Sequence, residues 1–233
     1  MIITQQKFHE LYGAGRPPLP SAYRDINVNP DQEIPVLTAL VDYFRIERIL
    51  EIGVNTGLTA GAILANNEII KSYIGLDLKA IWFTKEAAGY CALADSRFQL
   101  MQLENGSKDL YVGDIEPVDF VYIDGDHSYP WVGYDSQLAR SLLNPDGGII
   151  AWHDYGHSGN PDVKRWIHET NDKNFIADNK EPRICWVENT TICFQHFENK
   201  QITATPDVAQ VEEINENARS RRRSKKPVES SPA

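Results

Sequence analysis

The chain has 233 residues, 42% of them hydrophobic, which is enough to bury one substantial core. No apolar run approaches the ~20 residues of a membrane span, and the opening MIITQQKFHE lacks the basic and apolar regions of a signal peptide. The net charge of -10 hides a sharper asymmetry: without residues 219–233, which hold RSRRRSKK, 17 basic side chains face 32 acidic ones, an imbalance that argues against a broad nucleic-acid surface.

Residues 1–30, including GAGRPPLPS, read as an irregular arm. In NPDQEIPVLTALVDYF, the residues Ile34, Leu37, Leu40, Val41 and Phe44 share one helical face. Residues 1–46 together are expected to form an N-terminal arm and lid across the end of the first strand. Short apolar runs then alternate with amphipathic stretches. Strands are expected at 48–52 (RILEI), 73–77 (YIGLD), 97–102 (RFQLMQ), 118–124 (VDFVYID) and 147–152 (GGIIAW), with helices over 57–66, 79–93, 131–143 and 161–170. Such alternation implies a parallel sheet covered on both faces. RICWVEN and TTICFQHF leave no room for a helix between them and should pair as a hairpin, adding an antiparallel strand at one edge. The expected fold is α/β: a Rossmann-like, doubly wound, seven-stranded, mostly parallel sheet over residues 47–200. From 201 to 233 the chain is polar and basic and reads as a disordered tail. Cys91, Cys185 and Cys193 form neither a CxxC pair nor a disulfide framework, so a reduced, cytoplasmic interior is the simplest setting.

ILEIGVNTGLTA places Glu51, Gly53, Asn55 and Gly57 where the first strand meets its helix. Glycines there let backbone approach a ligand, and the helix start offers free N–H groups. The spacing is ExGxxxG and not the dinucleotide GxGxxG; a purely structural strand-to-helix turn is the competing reading. Asp77 ends the second strand, where an acid typically grips the ribose hydroxyls of an adenosine cofactor, although it could instead cap a following helix. Together these features resemble the class I methyltransferases that use S-adenosylmethionine. The resemblance implies that Glu51, Gly53, Asn55 and Gly57 wrap the methionine part and that Asp77 holds the ribose. It also implies that Ser107, in LENGSKDL, meets the adenine edge, the acid usual in that stretch being absent here.

FVYIDGDHSYPW ends an apolar strand in Asp124, Asp126 and His127, and WHDYGH ends the next in His153 and Asp154. Ligands in doubly wound sheets sit beyond the C-terminal strand ends, so these groups should converge. Carboxylates and imidazoles at one open site suit a divalent metal; DGDH could also be a tight turn. The pairing resembles metal-dependent small-molecule O-methyltransferases of the macrocin type and their cephalosporin-hydroxylase-like relatives (methyltransferase family 24-like). Carried over, Asp124, His153 and Asp154 would hold the metal, with Asp124 also bordering the cofactor. The branch uses magnesium, but an imidazole at residue 153 suits manganese, iron or zinc better. His127 would act as base. Asp126 is the competing candidate, or else it orients His127. The acceptor implied is a small-molecule hydroxyl, of a sugar or natural product. A same-fold enzyme with hydroxylase-like chemistry and a non-catalytic cofactor-binding module are the rivals, and the chain is compatible with a homo-oligomer. His157 reads as a loop residue; Tyr129, Trp131, Trp152 and Tyr155 could stack on substrate or pack in the core.

Overall fold

The computed structural model describes residues 2–15, 30–79, 88–174 and 184–198. In chain order the elements are β1 (Ile2–Ile3), α1 (Gln5–Tyr12), α2 (Pro30–Phe44), β2 (Arg48–Ile52), α3 (Leu58–Asn66), β3 (Ser72–Leu78), β4 (Phe98–Leu103), a 3-10 turn (Gly106–Asp109), β5 (Phe120–Ile123), α4 (Tyr129–Leu142), β6 (Gly147–Trp152), α5 (Pro161–Asn174), β7 (Cys185–Val187) and β8 (Cys193–Glu198). They build one sheet of order β1-β7-β8-β6-β5-β2-β3-β4. Only β8 runs against its neighbours β6 and β7.

Strand composition explains the layering. Along β5, Phe120 and Tyr122 face one core while Val121 and Ile123 face the other; β6 repeats this with Ile149 and Ala151 against Ile150 and Trp152. A strand buried on both faces cannot carry the polar-out alternation of a half-exposed one. The first core is closed by Phe8 of α1, Val36, Leu37 and Leu40 of α2, and Ala60 and Ile63 of α3. The second is closed by Val132, Leu138 and Leu142 of α4 and Val163, Trp166 and Ile167 of α5.

Three expectations need correction. The sheet has eight strands and not seven, because Ile2 and Ile3 pair in parallel with Trp186 and Val187 at the β7 edge. The arm is therefore partly regular: Thr4 accepts the Lys7 N–H to start α1, and Gly13 ends it at φ 88°. Residues 88–93, expected to be helical, form turns, while 80–87 lie outside the described residues, as do 16–29 of the arm and the tail from 199 onward. Among the described residues, no helix is long and apolar enough to cross a membrane.

Candidate functional site

The sheet order reverses its winding between β2 and β5, which pair in parallel. Strand pairing there continues past the last strand residues. Asp124 N–H donates to the Ile52 carbonyl (2.8 Å), and His153 N–H donates to the Ile123 carbonyl (3.0 Å). Asp124 and His153 are thus set by the same ladder that sets the sheet, at the crevice where open α/β sheets bind ligands.

The β2–α3 turn forms one wall. Gly53 adopts φ 89°, Asn55 φ 44° and Gly57 φ 78°. Asp77 pins the turn from β3, accepting the N–H of Asn55 (2.6 Å) and of Leu78 (2.7 Å). Glu51 is fully enclosed and accepts the Tyr73 hydroxyl (3.0 Å). Burial, with the Asp124 charge adding to it, pushes the Glu51 carboxyl well above its ordinary range. Ser107 is buried and donates its hydroxyl to Asp135 of α4, so the Ser107 oxygen retains only lone pairs to offer.

The other wall is the imidazole–carboxylate cluster. His153 Nδ1 lies 2.8 Å from Asp124 Oδ1 and 3.3 Å from Asp154 Oδ1. His127 Nε2 lies 3.4 Å from Asp124 Oδ1 and 3.5 Å from Asp154 Oδ2. Both nitrogens are buried, yet neither is aligned with an acceptor as a hydrogen bond. One ligand atom from each of Asp124, His127 and His153 lies within 4.8 Å of the others. Two orphaned imidazole nitrogens around a carboxylate oxygen fit a divalent ion, and nitrogen donors favour manganese over magnesium. Asp154 is held at φ 58°, outside the usual range for a non-glycine residue, and accepts the Asn160 amide. Asp126 is exposed and accepts the Ser128 N–H (2.8 Å) ahead of α4, which accounts for one carboxylate of DGDH as a turn-forming group.

Burial alone would push the His153 imidazole down. The Asp124 and Glu33 carboxylates flanking its nitrogens outweigh this and raise it to about 11. For Asp124, burial would raise the carboxyl, but the His127 and His153 imidazoles keep it below its ordinary range. A raised imidazole stabilises the fold fully below its unfolded pKa of about 6.5 and loses that contribution as pH climbs towards its folded value. Chelator-treated protein should therefore lose stability above about pH 7, by at most roughly 1.4 kcal/mol per pH unit. His153→Gln should flatten that slope in urea melts, and an unchanged slope would refute the assignment. The Asp124 contribution has the opposite sense: present above about pH 4, it is lost in acid.

Two participants were missed by sequence reading. Glu33 of α2 lies 3.0 Å from His153 Nε2, and Asp135 sits beneath Ser107, where burial pushes it up to about 6. Each had a signal. Glu33 shares the i, i+4, i+7 face with Leu37 and Leu40, and Asp135 lies three residues, under one helical turn, from each of Val132 and Leu138; both are carboxylates at core-facing positions. Of the aromatic residues, Trp152 and Tyr155 are core, whereas Trp131 is part-exposed with Lys108 Nζ 3.5 Å from its ring centre. His157 lies in an exposed loop. A cavity of about 430 Å3 lined by Asp42, Arg45, Glu68 and Ile69 shares no residue with the cluster.

Residues 50–155 match the family described as "Methyltransferase domain". No curated protein matches the chain. Among solved structures, a Klebsiella pneumoniae protein described as an O-methyltransferase superposes with TM-score 0.51 at 18% identity, covering 82% of this chain and 86% of its own. A Staphylococcus aureus protein described as a caffeoyl-CoA O-methyltransferase gives 0.50 at 11% identity, over 83% and 90%. Cofactor-bound Rv0187 from MTB gives 0.50 at 15%, over 83% and 87%. At these identities the likeness speaks for the fold.

Proposed function

We propose that the chain, whose residues 50–155 match the methyltransferase-domain family, transfers a methyl group from S-adenosylmethionine to a hydroxyl oxygen of a small molecule, of the sugar or natural-product type. In this reading Asp124, His153 and Asp154 hold a divalent ion, manganese or magnesium, and His127 is the base. One observation carries it: Asp124, His127 and His153 converge against the Gly53 turn, whose backbone touches the Asp124 carbonyl. A donor held by that turn and an acceptor held by the cluster would be neighbours.

The sulfonium methyl of the donor needs no further activation, and a divalent ion beside the acceptor would ease loss of its hydroxyl proton. The protein's share is alignment and proton removal. In the Gly53–Gly57 turn the N–H groups of Gly53, Asn55 and Gly57 are bonded to Leu76, Asp77 and Val54, so the turn would serve the methionine part chiefly through the close backbone approach its glycines allow. Asp77 retains outward lone pairs for the ribose hydroxyls, and the Ser107 oxygen can accept from the adenine amine. The His127 ring is part-exposed, but its Nε2 is buried inside the cluster, 3.4 Å from Asp124 Oδ1 and 3.5 Å from Asp154 Oδ2, with no aligned hydrogen-bond partner among the described residues; in this reading it takes the proton from an acceptor that enters the cluster. A cytoplasmic setting is part of the proposal, supported by a sequence whose three cysteines make neither a CxxC pair nor a dense disulfide framework.

His127→Ala tests the assignment. S-adenosylhomocysteine release over a panel of hydroxylated acceptors should fall about a hundredfold or more, with S-adenosylhomocysteine and Mn2+ affinities retained in calorimetry. Unchanged turnover would remove the base. The 4.8 Å grouping of Asp124, His127 and His153 favours one second reading, His127 as an ion ligand; Mn2+ affinity would then collapse together with the rate.

A further inference from the structure

The His153 ring is gripped at both ends, and only one end faces the cluster. Its Nε2 lies 3.0 Å from Glu33 Oε2. The other Glu33 oxygen accepts the Thr191 hydroxyl from the β7–β8 turn, and the Thr191 carbonyl accepts the Tyr155 N–H (2.9 Å) two residues after His153. Three segments far apart in sequence therefore meet at one carboxylate.

A carboxylate can only accept, so the nitrogen facing Glu33 carries a proton whether the ring is neutral or charged. That leaves Nδ1 as the atom presented to Asp124, at 2.8 Å. A buried carboxylate on an apolar helix face is expensive for stability, and a well-packed apolar residue would serve the fold as well or better. Glu33 is 8% exposed and stands beside Ile34 and Leu37 of the core. The burial is explained if the charge has work to do at His153.

We propose that Glu33 is a positioning residue: by accepting Nε2–H of His153, and being braced by Thr191, it fixes that ring so that Nδ1 faces Asp124 and His127. The proposal rests on the methyl-transfer reading for its purpose, since partners of this kind set the orientation and basicity of a metal-binding imidazole.

The test uses full-length protein without methyl donor. Glu33→Ala should weaken Mn2+ binding in calorimetry by roughly 10- to 100-fold. It should also abolish the downfield Nε2–H resonance of His153 in 15N-histidine spectra, while S-adenosylhomocysteine affinity stays at the wild-type level. Glu33→Gln, which keeps an oxygen acceptor, should restore most of the resonance and part of the affinity. Thr191→Val, which leaves Glu33 in place, should move both readouts the same way by less, and serves if Glu33→Ala does not fold. Wild-type Mn2+ affinity together with an unchanged His153 resonance in Glu33→Ala would overturn the proposal. If the unaltered protein takes up neither S-adenosylhomocysteine nor Mn2+, the methyl-transfer reading falls, and the His153 resonance still decides the role of Glu33.

Discussion

Asp124→Asn is expected to lower methyl transfer roughly a thousandfold, at the upper end of what one proton-handling or charge-stabilising group contributes, while the protein still folds cooperatively. The substitution keeps shape and removes charge at the one atom both imidazoles approach, Asp124 Oδ1, 2.8 Å from His153 Nδ1 and 3.4 Å from His127 Nε2. Ion binding should weaken in parallel, because an amide oxygen is a poorer ligand than a carboxylate for a hard divalent cation. The backbone bond from Asp124 N–H to the Ile52 carbonyl is untouched, so the strand end keeps its place. The pH profile of stability should also change, since His153 then loses one of the two carboxylates that raise it. Turnover and Mn2+ affinity measured on the same preparation decide the matter: wild-type values for both would remove Asp124 from the centre of the site.

Gly53→Ala should be the most damaging single methyl group at the candidate site. A Cβ there would lie 2.1 Å from the Asp124 carbonyl oxygen and 2.7 Å from the Gly125 Cα. Both obstacles are backbone, just past the end of β5, the strand paired with β2, so relief requires prising apart the ends of β2 and β5. The residue also sits at φ 89°, which an L side chain adopts at a cost of about 1–2 kcal/mol. Strain and overlap together should reach about 3–5 kcal/mol, or a fall of roughly 10 °C in Tm for a domain of this size. Gly113→Ala is the internal control. Its φ is 98°, but nothing lies within 4 Å of its would-be Cβ, so only the conformational cost of about 1 kcal/mol should appear. Equal Tm shifts in the two variants would show that the close approach of Gly53 to Asp124 is not a constraint.

The central sheet was legible because its signals are local. RILEI and FVYI are continuous apolar runs that only a strand covered on both faces accommodates. The residue that follows a parallel strand falls at its C-terminal edge whatever the rest of the chain does, so the sequence alone puts Asp124 and Asp126 in the neighbourhood of His153 and Asp154. Local pattern was silent elsewhere. A two-residue strand at Ile2–Ile3 has no periodicity to detect, and it exists because the β7 edge supplies its partner. DGDH reads as a turn or as a metal-ligating Asp124 followed by a base, His127 or Asp126; the structure gives Asp126 to the Ser128 N–H and leaves Asp124 facing the imidazoles.

Glu33 marks the sharper limit. Its helix was expected, but its meeting with His153, 120 residues on, depends on how α2 lies across the sheet. Asp135 under Ser107 is the same case across 28 residues. Hydrophobic periodicity determines which elements form and which faces are buried, because burial is non-directional and summed along a segment. Which polar groups then face one another is directional and falls off within a few ångström, so it was decided only when the packed layers fixed those distances.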